Sequence, residues 1–208
     1  MIINEKEMYD CISDFTIATL GPKGTSSEFV ANDLMSKLGI VDKNIFLFDS
    51  YEKAFDSVKK KKNNLLLVAN AYNNIHDFYM DDEVTLIGSF IKETPLYGIA
   101  SKNYEKNDFL SDIDLKVVSH HAPKSMIDTI KNQFNLEIDV IDCMSTSEAA
   151  HYVNSGRYKY CLTNEEAQKE YNLSFIIPIK QITMLWSLFG ESKFIATFDL
   201  LNKMNKFN

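Results

Sequence analysis

The chain reads as an α/β protein of two lobes with a cleft between them, and three observations lead there. Short apolar runs rich in Val, Ile, Leu and Phe alternate with stretches of helical periodicity from Thr16 onward, the pattern of a mainly parallel sheet covered by helices. No Gly/Ser linker or low-complexity stretch marks a cut into sequential domains. Breaks at Glu93-Thr94-Pro95 and at Pro178-Ile179-Lys180 instead bracket a central α/β unit. The outer lobe then takes strands from both sides of that unit, and a chain that crosses twice between lobes implies a cleft, the usual seat of a small ligand. The expected division is an N-terminal extension over 1–14, a first lobe over about 15–93 plus 182–208, and a second over about 94–181.

The periodicity places strands at Thr16–Leu20, Ile45–Phe48, Leu65–Val68, Leu86–Lys92, Tyr97–Ser101, Lys116–Val118, Ile138–Ile141, Tyr160–Leu162, Ser174–Ile177 and Leu185–Phe189. Helices fit Ser26–Leu38, Tyr51–Lys60, Pro123–Gln133, Ser147–Asn154, Glu165–Tyr171 and Ala196–Met204. With 208 residues, 45% of them hydrophobic, the chain buries a core of its own.

Composition excludes several classes. A net charge of −7 lacks the basic stripe that phosphate neutralisation needs, so no nucleic-acid partner is expected. The basic run Lys59-Lys60-Lys61-Lys62 follows an amphipathic stretch and reads as a solvated helix end. Arg157 is the sole arginine, so an anionic ligand must be held by lysines, histidines, hydroxyls and helix starts. Cys11, Cys143 and Cys161 are odd in number and unpaired in spacing, which argues for free thiols in a reducing compartment. The four histidines, His76, His120, His121 and His151, are scattered without ligand spacing, so no metal is expected. No run has membrane-spanning length, and Met1 to Asp14 lacks the apolar core of a signal peptide, so a cytoplasmic location is expected.

Hydroxyl-rich turns carry the chemistry. Gly21-Pro22-Lys23-Gly24-Thr25-Ser26-Ser27-Glu28 follows the first strand and opens a helix, with Thr25 and Glu28 spaced as a capping box. Its free N–H groups and helix dipole make an anion seat, while a capped helix after a tight turn explains Thr25 and Glu28 equally well. The ending of a Walker loop is missing. A second capped start lies at Ser145-Thr146-Ser147-Glu148 and a third at Ser119-His120-His121-Ala122-Pro123-Lys124, where Pro123 suits a first helical turn. The stretch Val68 to Met80, with Tyr72, Phe78, Tyr79 and Met80 outside helical spacing, reads either as a cleft wall or as a packing cluster.

At these residues the sequence resembles the prephenate dehydratase family over about Thr16 to Gly190. Leu20 to Glu28 is similar to that family's opening motif, Ser119-His120 to its Ser-His-Pro motif, and Ser145-Thr146-Ser147-Glu148-Ala149-Ala150 to its Ser-Thr-Ala-x-Ala-Ala motif. The resemblance implies a two-lobed fold like type II periplasmic binding proteins, with prephenate between the lobes. Three departures stand against it. Ala69-Asn70-Ala71-Tyr72-Asn73 replaces Pro-Ile-Glu-Asn-Ser, Trp186-Ser187-Leu188 replaces Thr-Arg-Phe, and no regulatory ACT domain is expected. Departures of this kind resemble the prephenate decarboxylases of bacilysin-type (anticapsin) antibiotic pathways. Those are similar to this chain in Gly24 to Glu28, in Ala71-Tyr72 with Phe78-Tyr79-Met80, in Thr94-Pro95-x-Tyr97-Gly98, in Leu162-Thr163-Asn164-Glu165 and in Trp186 to Gly190.

The activity so implied is decarboxylation of prephenate with the ring hydroxyl retained, giving dihydro-4-hydroxyphenylpyruvate without a cofactor. An indole N–H is a poor acid, so at Trp186 hydroxyl departure gets no proton. Trp186, Tyr72 and Tyr79 are expected to form a dry wall, and Lys23, Gly24, Thr25, Ser26, Ala71, Ser119, Lys124, Ser145, Thr146 and Ser187 to bind substrate. His120 or Tyr72 is the expected proton donor, with water or the substrate hydroxyl as alternatives. The expected partners are prephenate, a second copy of the chain, and an isomerase that takes the product onward. Two other readings stay open: a divergent dehydratase using Thr183, Ser187 or Thr163 as acid, and a binding module without turnover.

Overall fold

A computed structural model describes residues 16–37, 44–61 and 64–191. The expected N-terminal extension, Cys11, Lys62 and the helix expected over 196–204 lie outside the described residues. Within them the chain forms two compact units, one of 16–21, 27–93 and 183–191, the other of 22–26 and 94–182.

The first unit runs β1 (Thr16–Leu20), α1 (Ser26–Lys37), β2 (Ile45–Phe48), α2 (Tyr51–Lys60), β3 (Asn64–Ala69), α3 (Ile75–Tyr79) and β4 (Thr85–Glu93), and the chain returns to it as β10 (Thr183–Gly190). Helix α2 forms because Tyr51, Ala54, Phe55 and Val58 recur on one face and Ser50 caps its start, accepting from the Lys53 N–H at 3.3 Å. Its basic end is not merely solvated, since Lys59 pairs with Asp81 at 2.8 Å and Glu83 at 2.9 Å. Sheet order is β2-β1-β3-β10-β4. Strand β3 is apolar from Leu65 to Ala69 because helices cover both its faces. One core holds Val30, Ala31, Leu34 and Met35 of α1 with Trp186 and Leu188, while another holds the buried face of α2 with Phe78 and Phe189. Helix α3 was not expected: its five residues carry a single buried side chain, Phe78, too little for a helical period to register.

The second unit runs β5 (Tyr97–Ser101), α4 (Lys106–Ser111), β6 (Lys116–His120), α5 (Ser125–Phe134), β7 (Asp139–Cys143), α6 (Thr146–Asn154), β8 (Tyr160–Asn164), α7 (Glu165–Glu170) and β9 (Ser174–Lys180). Its sheet order is β7-β6-β8-β5-β9. Helix α4 also escapes the periodicity, because Phe109 alone is buried along it.

A mainly parallel sheet is not what forms. In each unit two strand pairs are parallel and two antiparallel, the antiparallel ones being made by β10 against β3 and β4, and by β5 against β8 and β9. The cause is connectivity, since β5 and β10 each carry the chain into a sheet from the other unit and enter it against the direction of its neighbours. The break expected at Pro178 is likewise absent: Pro178 lies inside β9, an edge strand, where a missing N–H leaves no ladder bond unmade. The crossing falls after it, where buried Thr94 donates its N–H to the Ile182 carbonyl at 2.9 Å and accepts the Ile182 N–H on Oγ1 at 3.1 Å.

Gly98 sits where β5 is flanked by both neighbours, and a Cβ there would lie 2.8 Å from the Ile177 carbonyl and 2.7 Å from the Phe175 ring. Because the carbonyl belongs to a paired strand it cannot withdraw, so Gly98→Ala is expected to cost about 1–3 kcal/mol as overpacking. Urea unfolding of the two forms checks it.

Candidate functional site

Two clusters of hydroxyl and amide side chains emerge, one in each unit. In the first unit, β10 alternates across its sheet, so that Trp186 and Leu188 face α1 while Ser187 and Phe189 face the other way. Ser187 is fully buried on that second face, and its O–H donates to Asn70 Oδ1 at 2.8 Å. Tyr79 on α3 stands 3.3 Å from the same Ser187 oxygen and packs edge-on against Phe189. Tyr72 stacks near Phe78 and donates its phenol proton to Glu52 on α2. Tyr51 beneath it takes the Ala69 N–H at 3.3 Å and bonds Ser27 at 2.9 Å. Ala71 is exposed beside them.

The expected wall of Trp186, Tyr72 and Tyr79 therefore does not form. Trp186 is 1% exposed and packed among α1 side chains, with its indole N–H directed at the Lys92 carbonyl 3.4 Å away. It is a core residue on the opposite face from the two tyrosines, because adjacent strand residues point to opposite sides. Trp186 and Ser187 adjoin in sequence yet serve different surfaces.

In the second unit the loop Pro22–Ser26 docks on α6 and α7. Gly24 takes φ +83°, and a Cβ on it would stand 3.1 Å from the Ala167 backbone, so both its conformation and its space demand glycine. The Lys23 carbonyl accepts from Ser147 at 2.6 Å, and Lys23 Nζ pairs with Glu170 at 3.0 Å. Thr25 is buried. Ser26 Oγ lies 3.1 Å from the Tyr97 hydroxyl and accepts from Asn164 Nδ2 at 3.4 Å, while Asn164 Oδ1 caps α7 through the Ala167 N–H at 2.9 Å. Ser145 caps α6, accepting the Glu148 N–H at 3.0 Å, as its spacing predicts. Thr146 follows, buried, with its carbonyl taken by Thr163 at 2.8 Å. Ser119 does not start a helix. It lies within β6, one residue before its end, with its hydroxyl on the His120 carbonyl at 2.8 Å, and α5 begins only at Ser125. Lys124, at that start, lies 3.8 Å from Asp142.

Both expected proton donors are weak acids here. Burial pushes the Tyr72 phenol up to about 12, helped by the Glu52 carboxylate that holds its proton. Burial also lowers His120, reinforced by His121, whose ring is 4.0 Å away, and opposed by Asp142. His120 is thus a neutral imidazole, with Nδ1 turned to the Ala122 N–H at 3.4 Å and its proton on Nε2.

Asn70, Glu52, Tyr97 and Asn164 belong to these clusters without having been singled out as site residues. Tyr97 and Asn164 sat in segments quoted for the resemblance, so position in those segments was the available signal; for Glu52, on an exposed helix face, there was none. Among the described residues no group of three His, Cys, Asp or Glu is placed to hold a metal, and no helix is long and apolar enough to cross a membrane. Cys143 and Cys161 are free thiols.

Comparison with known proteins gives the geometry a context. No protein-family profile matches the chain. Among solved structures, prephenate dehydratase of Arthrobacter aurescens in complex with L-Phe superposes with a TM-score of 0.68 at 15% identity, covering 85% of this chain and 60% of that one. The periplasmic VFT2 domain of Bordetella pertussis BvgS superposes at 0.51 and 13% identity, covering 96% and 90%. The fold is therefore prephenate dehydratase-like, with the architecture of periplasmic binding domains. A protein named prephenate decarboxylase from Bacillus subtilis (strain 168) is 34% identical over 194 residues, which span 91% of this chain and 93% of its own. At that identity over nearly the whole of both chains, this chain belongs to the prephenate decarboxylase family.

Proposed function

We propose that this chain decarboxylates prephenate without making the ring aromatic, releasing carbon dioxide and dihydro-4-hydroxyphenylpyruvate. The bond from the ring to its carboxylate breaks, its electron pair enters the ring diene, and a proton is taken up at a ring carbon while the hydroxyl stays. The substrate supplies its own electron sink, so the reaction as written calls for no cofactor. The observation that carries the reading is the Trp186-Ser187 pair inside a chain whose relatives bear the decarboxylase name. In the dehydratase-like segment that would supply an acid to the leaving hydroxyl, one side chain is sealed in a core and the other already donates its proton to Asn70.

Proton delivery to carbon falls to water in this reading. A phenol near pKa 12 and a neutral imidazole are both poor donors, and Tyr72 and His120 suit hydrogen bonding to substrate oxygens instead. Substrate is held by the Gly24 to Ser26 loop, by Ser119, by the capped start at Ser145 and Thr146, and by Ala71 and Tyr79, with Ser187 buried behind Tyr79. Lys23 and Lys124 add positive charge, each shared with a carboxylate. We place the reaction in the cytoplasm, as an early step of a bacilysin-type pathway whose next enzyme isomerises the dihydro product.

Incubation with prephenate, followed by proton NMR of the ring, is expected to show vinylic signals that persist after carbon dioxide release. Prompt appearance of phenylpyruvate would overturn the proposal, and saturable binding without carbon dioxide release would make the chain a binding module. The neutral state of His120 has its own consequence. Its folded pKa lies below the ordinary 6.5, so as pH falls through that value the unfolded chain takes up the proton first and the folded state loses stability. His120→Asn is expected to flatten that loss, measured as urea midpoints from pH 7.5 downward.

A further inference from the structure

Asn70 lies between the end of β3 and α3, half-buried, and its backbone N–H donates to the Leu185 carbonyl at 3.0 Å, which pins the residue to β10. Its side chain is held by a single partner. The Ser187 hydroxyl donates to Oδ1 at 2.8 Å, and Ser187 in turn stands 3.3 Å from the Tyr79 hydroxyl. Because Ser187 is fully buried, its proton needs an acceptor inside the protein; an unpaired buried hydroxyl costs about 1–3 kcal/mol. Asn70 Oδ1 is that acceptor, and with the Ser187 proton spent there, the Ser187 oxygen is free to accept from Tyr79.

The polarity of this chain sets the amide. With Oδ1 taken by Ser187, Nδ2 is left as the other end of the same planar amide. Among the described residues Nδ2 has no protein partner, yet no side-chain nitrogen or oxygen is both buried and unbonded, so the two N–H donors are open to solvent. They stand beside Ser187, at the position where the dehydratase resemblance places an arginine, in a chain whose sole arginine lies elsewhere at Arg157.

We propose that Asn70 binds a carboxylate of the substrate through its Nδ2 donors, with Ser187 as the residue that positions it. The inference rests on the prephenate reading and deepens it by assigning a neutral amide where a cation would be expected. A neutral donor gains less from a carboxylate than a guanidinium fork does, but a locked amide loses little rotamer freedom on binding.

The test uses the full chain and prephenate, with dissociation constants from calorimetry, kcat and KM from carbon dioxide release, and thermal midpoints as a folding control. Asn70→Asp keeps the acceptor for Ser187 while replacing the donors by a negative charge. It is expected to melt close to the wild type and to weaken prephenate binding at least about tenfold, with KM rising more than kcat falls. Asn70→Ala is expected to weaken binding by a smaller factor. Ser187→Ala is expected to raise KM in the wild-type background but to add nothing in the Asn70→Asp background, where no donor remains to be positioned. If folded Asn70→Asp binds prephenate as tightly as the wild type, the inference is overturned while the activity stands. If the wild type neither binds nor decarboxylates prephenate, both fall together.

Discussion

The constraint on which the rest of the first unit depends is that β10 has no solvent face from Trp186 to Gly190. It enters between β3 and β4, pairs with both, and is covered by helices on either side, so that Trp186, Ser187, Leu188, Phe189 and Gly190 are all buried. A strand so placed can carry a polar side chain only where a partner reaches it, and Ser187 is the one polar residue in that stretch. Its need for an acceptor fixes Asn70, and its remaining lone pairs draw in Tyr79. The same rule operates in β8 of the second unit, buried along its whole length, where Thr163 donates to the Thr146 carbonyl and Asn164 divides its amide between the start of α7 and Ser26. Burial of polar residues on doubly covered strands thus organises both clusters.

Scarcity of arginine governs what those clusters can do. Lysines of both units are already engaged, Lys23 with Glu170 and Lys92 with Asp33 at 2.8 Å. Such pairs are partly exposed and contribute little to stability, but they spend the cations. What remains beside them is a set of fixed dipoles: the capped start of α6, the loop at Gly24, and amides and hydroxyls held by hydrogen bonds. Dipoles of this kind are set before substrate arrives and need no reorganisation, the feature that makes preorganised donors effective in low-dielectric sites.

Much of this was legible in the sequence. Strands β1, β2 and β5 run over the residues that alternation and β-branched runs mark, and Ser145 caps its helix as spacing predicts. Sheet direction was not legible, because periodicity records which face is buried and says nothing of which way a neighbour runs. The two short helices α3 and α4 were invisible because a single buried aromatic carries each. At the candidate site, the wall expected of Trp186, Tyr72 and Tyr79 is what the structure overturns. Trp186 and Ser187 are neighbours in sequence and were read as one replacement, while the pleat sends them to opposite faces. Asn70 was legible only as a member of the departing segment Ala69 to Asn73, because its contact with a buried hydroxyl more than a hundred residues away in the chain leaves no local pattern.

That division of faces explains why the change at this pair is hard to reverse. The indole of Trp186 fills space among Val30, Leu34 and Leu188, and trimming a buried aromatic to a small residue costs about 3–5 kcal/mol, a large fraction of a domain's stability. A threonine restored there would leave a void on the α1 side before any hydroxyl could act. An arginine restored at 187 would have to enter a fully buried position already filled by the Asn70 and Tyr79 contacts, with no carboxylate among its present partners. The pair is therefore held by packing on one face and by the Asn70 and Tyr79 contacts on the other. A chain built this way keeps a prephenate dehydratase-like fold while its Trp186-Ser187 segment is committed to core packing and to the Asn70 contact.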